Sequence, residues 1–416
     1  MSETRVLILA GGFGTRLAQV VKDTPKPMAP IAGRPFLEYQ IVYLKTQGFK
    51  NFTLLTGHLA DQIESHFGDG SKFGVKINYS VETEPLGTGG AIRKAMESTP
   101  ETAFLVLNGD GLFATDYRRF VQLSVGNQIS IALKFTDDLS RYGSVTIDEK
   151  FNITSFREKS GAKSEGYINA GAYFIQREAL QLLKSGKFSI ETEVFQPLSE
   201  KRALNGIPCG GKFVDIGTPE SFQWAQTHLP EWLKEKLTPC LFLDRDGVLI
   251  RHKPYMHKVE DVEMIPETVD LIRTAKERNW YVVVITNQAG VARGIFKEAD
   301  CEAVHRHIDN WLAKKNLKLD AWYSSFSHPE GKVMPYNRES LLRKPKPGMV
   351  LLACEKFPID LSRSLMIGDN VSDRLELPDL RTILVKGDFP LDQAGPHCII
   401  AQDAEQMAQL ARQQIS

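Results

Sequence analysis

Two short apolar runs, each followed at once by a turn suited to phosphate, constrain the fold of this chain most. Val6–Ala10 leads into the turn Gly11–Leu17, and Cys240–Leu243 leads into the turn Asp244–Val248. A buried strand followed by such a turn is typical of a parallel sheet, which binds ligands at the carboxyl ends of its strands. The first turn suits a nucleoside triphosphate and the second suits attack on a phosphate ester. Together they indicate consecutive steps of one pathway.

Apolar runs alternate with amphipathic stretches along most of the chain. The runs predict strands at Val6–Ala10, Asn51–Thr56, Phe104–Asn108, Cys240–Leu243, Tyr281–Ile285 and Ser364–Ile367. The stretches predict helices at Phe36–Gln47, Ala91–Glu97, Val269–Arg278, Glu302–Lys314 and Ala404–Arg412. Such alternation predicts the α/β class, with mostly parallel sheets covered by helices on both faces. We therefore expect two doubly wound domains, the first of them Rossmann-like.

The alternation fades in one charged segment that prolines bracket, Pro230–Pro239. A chain of 416 residues is too long for one ordinary core, so a domain junction is expected. We predict an N-terminal domain over residues 1–230, a linker over 231–238 and a C-terminal domain over 239–416.

The charge balance and the cysteines bear on partners and compartment. Lys plus Arg number 51 and Asp plus Glu number 51, which gives no electrostatic reason for a nucleic-acid or membrane partner. No run approaches the roughly 20 apolar residues that span a bilayer, and a first strand at Val6 leaves no room for a signal peptide. Five scattered cysteines suit a reducing cytosol. We expect a cytoplasmic protein with small-molecule partners, and self-association stays open.

The first glycine-rich turn predicts a nucleotide site. Glycines let backbone N–H groups approach phosphate oxygens, and an arginine can fork onto a β- or γ-phosphate. Leu17 stands where a G-x-G-x-x-G turn would carry its third glycine, so a plain structural loop stays an alternative. The residues expected to contact nucleotide here are Ala10, Gly11, Gly12, Gly14, Thr15 and Arg16.

Further segments give this turn a family context. Leu9–Leu17 together with Pro25–Met28, in which prolines stiffen the chain around Lys26, resembles the sugar-1-phosphate nucleotidyltransferase family. The resemblance continues along the N-terminal domain in Glu84–Ala91, Leu107–Asp110, Phe156–Lys159, Asn169–Gly171 and Val214–Pro219.

The resemblance implies a reaction and a role for each segment. A sugar 1-phosphate oxygen would attack the α-phosphorus of the triphosphate, and pyrophosphate would leave. Such transfer depends on alignment and charge neutralisation more than on a protein nucleophile. Arg16 and Lys26 would neutralise phosphate, and Asp110 and Asp215 would bind Mg²⁺. The remaining implied contacts are Gly87, Thr88 and Gly89 for the nucleotide and Glu158, Lys159 and Asn169 for the sugar phosphate.

The second turn places two carboxylates, Asp244 and Asp246, two residues apart directly after a strand. This pattern resembles the haloacid dehalogenase superfamily of phosphotransferases. The resemblance implies that Asp244 is the nucleophile and that Asp246 first protonates the leaving oxygen and then activates water. It further implies phosphate contacts from Thr286, Asn287 and Lys344, and an Mg²⁺ site made by Asp244, the Asp246 backbone carbonyl and Asp369, which Asp373 supports less directly.

Two more segments narrow the branch of this superfamily. Thr286–Gly294 and Arg343–Met349 resemble the histidinol-phosphate and heptose-bisphosphate phosphatases, which implies substrate contacts from Arg293 and Arg343. The counterpart of Arg343 in the heptose enzymes recognises a second phosphate, so a bisphosphate substrate is expected. This branch commonly carries a zinc loop of three Cys and one His. Here Ser or Leu holds the cysteine positions, and His328 alone cannot close a tetrahedral site, so we predict no zinc.

The two halves point to one intermediate. The first half most resembles the guanylyltransferases that act on heptose 1-phosphate, on the segments Pro35–Tyr39, Phe67–Ser71 and Glu84–Gly90. The combined resemblance implies removal of the 7-phosphate of a heptose 1,7-bisphosphate, followed by transfer of GMP from GTP. Alternatives are a mannose or glucose phosphate with another nucleotide, and a non-catalytic sugar-nucleotide sensor fused to a phosphatase. The residues alone determine neither the base nor the anomer.

Overall fold

A computed structural model describes residues 4–12, 24–140, 142–157, 163–395 and 398–415. The chain divides into two compact units, Met1–Glu235 and Lys236–Ser416. The division falls inside the segment 231–238, although a helix continues as far as Trp232. The domain limits at 230 and 239 stay a prediction.

Strands and helices alternate along the first unit. Its strands are β1 (Thr4–Leu9), β2 (Pro30–Ile31), β3 (Arg34–Pro35), β4 (Asn51–Thr56), β5 (Lys76–Val81), β6 (Ala103–Asn108), β7 (Gly111–Ala114), β8 (Ile129–Thr136), β9 (Ser144–Ile147), β10 (Ile153–Arg157), β11 (Gly166–Gln176), β12 (Asn205–Cys209) and β13 (Lys212–Asp215). Its α-helices are α1 (Phe36–Thr46), α2 (Ala60–Phe67), α3 (Gly87–Glu97), α4 (Tyr117–Ser124), α5 (Gln196–Glu200) and α6 (Pro219–Trp232).

Among the described residues, nine strands form the main sheet of this unit, in the order β10-β9-β11-β6-β1-β4-β5, with β8 on β11 and β12 on β8. The predicted α/β class is confirmed, but a mostly parallel sheet is wrong for half of it. Strands β5, β4, β1 and β6 run parallel, whereas β11 is antiparallel to β6, β8 and β9. The connection from β9 to β10 is too short to hold a crossover helix, so those two strands pair as a hairpin.

The register of the parallel strands aligns their carboxyl ends. Leu9 at the end of β1 pairs with Leu55 of β4 on one side and with Asn108 of β6 on the other. The turns after β1 and β6 therefore start side by side. Helix α1 packs on the core because Phe36, Leu37, Ile41 and Leu44 fall on one face. Burial of such a side chain contributes about 1.5–3 kcal/mol.

The second unit is built around a parallel sheet. Its strands are β14 (Cys240–Leu243), β15 (Tyr281–Asn287), β16 (Ala321–Ser325), β17 (Leu365–Gly368), β18 (Arg381–Val385) and β19 (Cys398–Ala401). Its α-helices are α7 (Pro266–Glu277), α8 (Glu298–Ala313), α9 (Gly348–Lys356) and α10 (Ala404–Gln414). All pairs formed by its described strands are parallel, which confirms the expected doubly wound class.

The strand order in the second unit, β16-β15-β14-β17-β18-β19, reverses direction at β14. Ligands of open α/β sheets bind where the order reverses, at the carboxyl ends of the strands. The four residues of β14 are wholly buried, as expected for a central parallel strand. Asp244, the next residue, therefore lies at the switch point of the sheet.

Among the helices of the described residues, none combines the length and the apolar character needed to cross a membrane.

Candidate active sites

A lysine and two carboxylates meet in the first unit. The Nζ atom of Lys26 lies 2.6 Å from Oδ2 of Asp110 and 3.6 Å from Oδ1 of Asp215. Asp215 ends β13, which pairs antiparallel with β7 and so places Asp215 opposite Gly111. The lysine side chain is 14% exposed, and the side chains of Asp110 and Asp215 are 41% and 48% exposed. Three residues predicted from separate segments therefore converge.

Local backbone geometry places these groups. Pro25 precedes the short turn Lys26–Met28, whose Pro27 is buried, so the lysine is held on a stiff segment. Gly109 passes so close to β1 that a Cβ atom there would lie 2.3 Å from the Leu9 carbonyl oxygen. A glycine at 109 thus lets the turn that carries Asp110 lie against the end of β1.

A buried glutamine that the sequence analysis did not assign holds the Asp110 turn. The side-chain amide of Gln40 donates to the carbonyl oxygens of Asn108 at 2.8 Å and Gly111 at 2.5 Å, on either side of Asp110. Gln40 is fully buried on the apolar face of α1. Its position between apolar neighbours was the available signal, since a buried amide is costly unless it is hydrogen-bonded.

The glycine-rich turn is described only at its beginning. The Ala10 N–H donates to the Leu55 carbonyl and belongs to the sheet. A Cβ atom at Gly11 would meet the Gly57 backbone at 3.4 Å, whereas one at Gly12 would meet no described residue within 4 Å. The other predicted contacts of this region and of the sugar-phosphate segment, Gly14, Thr15, Arg16, Glu158 and Lys159, lie outside the described residues.

The predicted nucleoside contacts are hydrogen-bonded within the first unit. The Thr88 hydroxyl donates to Glu191 at 2.7 Å and accepts from the Ile190 N–H at 3.0 Å. The Gly89 N–H donates to the Phe188 carbonyl, and a side chain at 89 would overlap the Phe188 ring. Gly87 opens α3 with a positive φ of 70°. Contact of these residues with a nucleotide stays a prediction.

Asn169 lies beside the end of β6. Its side-chain amide donates to the Tyr173 hydroxyl at 3.1 Å, and its Oδ1 atom accepts from the Gly171 N–H at 2.9 Å. Gly171 has a φ of 68°, and a Cβ atom there would lie 2.8 Å from the Asn108 amide. The structure therefore places Asn169 near the strand that leads into Asp110.

In the second unit a lysine and three aspartates form a buried cluster. The Nζ atom of Lys344 lies 2.9 Å from Oδ1 of Asp244 and 2.5 Å from Oδ1 of Asp373. Asp244, Asp369 and Asp373 each offer a carboxylate oxygen within 4.8 Å of the others. Gly247, with a φ of 80°, permits this approach, since a Cβ atom there would overlap the Asp369 carboxylate.

The charges within the cluster do not balance. Burial raises the pKa of Asp244, which Lys344 partly opposes, and burial together with Asp244 and Asp373 raises the pKa of Asp369. Burial would lower the pKa of Lys344, yet the two aspartates that it contacts raise it above its usual range. Three carboxylates against one ammonium leave excess negative charge in a buried place. That donor set fits a divalent cation such as Mg²⁺.

The strand ends next to the cluster orient its lysine. Strand β15 runs two residues beyond its predicted end because Thr286 and Asn287 still pair with β16. The Asn287 amide donates to the Lys344 carbonyl at 3.1 Å, and the Lys344 N–H donates back to Oδ1 of Asn287 at 3.0 Å. The reciprocal pair fixes the backbone that carries the lysine. Thr286, 1% exposed, lies beside it in β15.

A cavity of about 210 Å³ opens onto the cluster. Arg343 lines it, and Arg293 reaches it through Tyr255, to whose hydroxyl its guanidinium donates at 2.6 Å. Burial and the nearby Arg293 lower the pKa of Arg343. Two guanidinium groups so placed favour an anion. The residues lining the cavity also include Asp244, Asp246, His252, Lys253, Met256, Gln288, Lys344, Asp369 and Phe389.

The loop expected to have lost its zinc ligands contains His328, whose Nδ1 atom accepts from the Glu330 N–H at 3.1 Å. Burial, with Arg343 and Arg293, lowers the pKa of this histidine. Within the described part of the chain, the group of three or more His, Cys, Asp or Glu side chains that could share a metal ion is Asp244, Asp369 and Asp373. The absence of zinc stays a prediction.

Comparison with known families places both units. The family model described as nucleotidyl transferase matches residues 5–231. The chain belongs to this family. The model described as polynucleotide kinase 3 phosphatase matches residues 240–392, and the second unit is a phosphatase domain of the haloacid dehalogenase-like class. The chain thus joins a sugar-1-phosphate nucleotidyltransferase to a phosphatase, and both families generally use Mg²⁺.

Individual relatives match the first unit. D-glycero-alpha-D-manno-heptose 1-phosphate guanylyltransferase of Aneurinibacillus thermoaerophilus is 40% identical over 230 residues, which are 55% of this chain and 99% of that protein. The enzyme of the same name from Campylobacter jejuni is 41% identical over 219 residues, 52% of this chain and 96% of that protein. The solved structure of HddC from Yersinia pseudotuberculosis with GMP-PN is 35% identical, covers 53% of this chain and 97% of its own, and has a TM-score of 0.48.

Proposed function

We propose that this bifunctional enzyme removes the 7-phosphate of D-glycero-D-manno-heptose 1,7-bisphosphate and then transfers GMP from GTP to the resulting heptose 1-phosphate. The products would be GDP-heptose and pyrophosphate. Relatives named for heptose 1-phosphate guanylyl transfer are 40% and 41% identical to the first unit, which supports the sugar and the base. The convergence of Lys26, Asp110 and Asp215 is the observation that carries the transfer half.

The transfer site holds charges rather than a nucleophile. A sugar 1-phosphate oxygen would attack the α-phosphorus of GTP, the bond from that phosphorus to the oxygen bridging to the β-phosphate would break, and pyrophosphate would leave. The Lys26 ammonium would neutralise phosphate oxygens beside Asp110 and Asp215. Arg16 would add a second cation, and Asn169 and Lys159 would orient the sugar phosphate.

The phosphatase site holds a nucleophile and a proton carrier. An Oδ atom of Asp244 would attack the 7-phosphorus while Asp246 protonates the departing sugar oxygen. Water would then attack the aspartyl-phosphate and give its proton to Asp246, which frees Asp244 and inorganic phosphate. Lys344, 2.9 Å from Asp244, would neutralise the phosphate, and Arg343 would hold the anomeric phosphate away from the nucleophile.

Each carboxylate cluster fits Mg²⁺. Asp110 and Asp215 would hold it in the first unit, and Asp244, Asp369 and the Asp246 carbonyl would hold it in the second. When bound, the ion would neutralise phosphate charge and polarise the phosphorus centre.

A substrate panel on the full-length chain tests the transfer half. Pyrophosphate release is measured with Mg²⁺ for GTP, ATP, UTP and dTTP, each with heptose, mannose and glucose 1-phosphates. GTP with heptose 1-phosphate is expected to give the highest kcat/KM. A higher value for mannose or glucose 1-phosphate, or for another nucleotide, would replace the proposed substrates. Binding of GDP-heptose without any turnover would favour the sensor.

The phosphatase half has a separate test. The full-length chain is incubated with heptose 1,7-bisphosphate and Mg²⁺ without nucleotide, and the phosphorus signals are followed by NMR. Loss of the 7-phosphate signal alone is expected. Loss of the anomeric phosphate would contradict the proposal, because the transferase would then receive no substrate.

A further inference from the structure

Gln288 links two groups that the phosphatase reaction needs. Its side-chain Nε2 donates to Oδ2 of Asp246 at 2.8 Å and to Oγ1 of Thr286 at 2.8 Å. The residue is 4% exposed and lines the cavity above the aspartates. Its amide therefore ties the end of β15 to the turn that follows β14.

Arg245 contacts the same carboxylate from the interior. Its guanidinium forks onto Asp246 with N–O distances of 2.9 to 3.2 Å, and its side chain is fully buried. Its Nη2 atom also donates to the Met256 carbonyl at 2.9 Å, and its Nη1 atom lies 3.5 Å from both Sγ of Cys301 and Nε2 of His305. The Asp246 carboxylate is therefore held between Gln288 and Arg245, and its side chain, 19% exposed, stays accessible.

We propose that Gln288 is a positioning residue for proton transfer by Asp246 in the phosphatase reaction. Its amide sets the Asp246 carboxylate at a fixed place relative to Thr286, which would hold the phosphate. Of the two donors to Asp246, Gln288 is the one that lines the cavity, so it holds the carboxylate from the substrate side. The inference rests on the proposed phosphatase chemistry and is independent of the identity of the sugar.

The step affected is the first one. Asp244 forms an oxygen–phosphorus bond, the bond from phosphorus to the ester oxygen breaks, and the proton of the Asp246 carboxyl passes to that oxygen. A poor leaving group needs this proton in the transition state, whereas an activated phenol leaves as its anion without one. A misplaced Asp246 therefore slows transfer from poor leaving groups and leaves transfer from activated ones almost unchanged.

The experiment compares phenyl phosphate with 2,4-dinitrophenyl phosphate on the full-length chain with Mg²⁺. The kcat/KM values are measured, since they report phosphoryl transfer to Asp244 and not the later hydrolysis. Gln288→Met removes the amide donor and keeps the length of the side chain. The comparison variant is Ser364→Ala. Ser364 is fully buried at the far end of β14, where it accepts from the Cys240 N–H and donates to the Asp360 carbonyl.

The proposal predicts that Gln288→Met lowers kcat/KM unequally for the two esters. For Gln288→Met, kcat/KM on phenyl phosphate falls by roughly tenfold or more, while the value on dinitrophenyl phosphate falls by less than about threefold. Ser364→Ala lowers the melting temperature and changes the two kcat/KM values by the same factor. Equal losses for Gln288→Met on both esters would assign Gln288 to phosphate binding or folding and overturn the proposal.

The assignment of the sugar substrate can be disproved without disproving the role of Gln288. A wild-type chain that hydrolyses both aryl esters but not heptose 1,7-bisphosphate would remove the sugar assignment and leave the unequal effect of Gln288→Met intact. A wild-type chain inactive on both aryl esters would overturn the phosphatase chemistry and the role of Gln288 together.

Discussion

The aspartates of the candidate site in the second unit are buried, whereas those of the candidate site in the first unit face solvent. Asp244, Asp369 and Asp373 are at most 9% exposed, and the buried Lys344 pairs with Asp244 and Asp373. Asp110 and Asp215 are each more than 40% exposed on their side chains. The difference agrees with the proposed chemistry of the two sites. An aspartate that attacks phosphorus must be desolvated and preassembled, while a transfer between two substrates needs charges that the substrates themselves will cover.

The largest expected effect is the loss of the nucleophile. Asp244→Asn should lower phosphate release from heptose 1,7-bisphosphate by about 10⁴-fold or more, because no aspartyl-phosphate can form. Pyrophosphate release from GTP and heptose 1-phosphate should stay within about twofold of wild type. Both rates are measured on one preparation. A comparable loss of both activities would contradict two independent sites.

The next largest effect is expected at the solvent-exposed carboxylates of the first unit. Asp110→Ala should lower pyrophosphate release by about 10²–10³-fold, because it removes a charge that orients Lys26 and an oxygen that would hold the cation. Phosphate release should be unchanged. Asp61→Ala, an exposed aspartate in the first turn of α2, is the matched control and should leave both rates alone. Normal transfer by Asp110→Ala would rule out this placement of the site.

Gln40 tests how the exposed site is supported. Gln40→Met removes the two hydrogen bonds that hold the carbonyls on either side of Asp110. Transfer should fall by roughly tenfold, mainly through weaker apparent affinity for Mg²⁺. Mn²⁺ binding measured by calorimetry should weaken in parallel. Gln47→Met, which removes a buried amide that donates to Thr115 in the same unit, should not weaken it. Unchanged metal affinity in Gln40→Met would show that Gln40 contributes to packing and not to the geometry of the metal site.

The smallest expected effect is on the thermal stability of the chain when no metal is bound at the buried aspartates of the second unit. The raised pKa of Asp369, about 8, means that the folded state resists ionising a carboxyl that the unfolded chain ionises near pH 4. Stability is therefore lost as pH rises from about 4 through 8. In EDTA at pH 8, Asp369→Asn should raise the melting temperature by about 3 °C, roughly 1 kcal/mol.

The same measurement at pH 5 is the internal check. There the folded state keeps the Asp369 carboxyl protonated and the pH lies only about one unit above the pKa in the unfolded chain, so the gain from Asp369→Asn should be markedly smaller than at pH 8. Asp270→Asn, an exposed carboxylate on α7, should change the melting temperature at neither pH. A gain of equal size at both pH values would show that charge relief is not its cause.

The convergence of Asp244 and Asp369 could be predicted from sequence for a topological reason, whereas Lys344 was assigned by the family resemblance alone. Asp244 and Asp369 each follow a short apolar run directly, and those runs are the adjacent parallel strands β14 and β17. The carboxyl ends of adjacent parallel strands meet at one edge, so residues just after them meet as well. The motif pattern and this rule together were enough.

The contacts of two buried side-chain amides could not be predicted in this way. Gln40 and Gln288 bond partners that lie 71 and 42 residues away, and nothing local in the sequence says which carbonyl or carboxylate each one meets. The antiparallel part of the first sheet was missed for a related reason. A short apolar run has no direction of its own, and its pairing is set by the length of the connections.

The central claim, that the second unit makes the substrate of the first, is tested most directly by one time course. The full-length chain is mixed with heptose 1,7-bisphosphate, GTP and Mg²⁺, and all phosphorus signals are followed together by NMR, for wild type and for Asp244→Asn. We predict that inorganic phosphate appears before pyrophosphate and GDP-heptose in wild type, and that Asp244→Asn makes none of these three products from the bisphosphate. Pyrophosphate formed by Asp244→Asn from the bisphosphate, or release of the anomeric phosphate by wild type, would contradict the account.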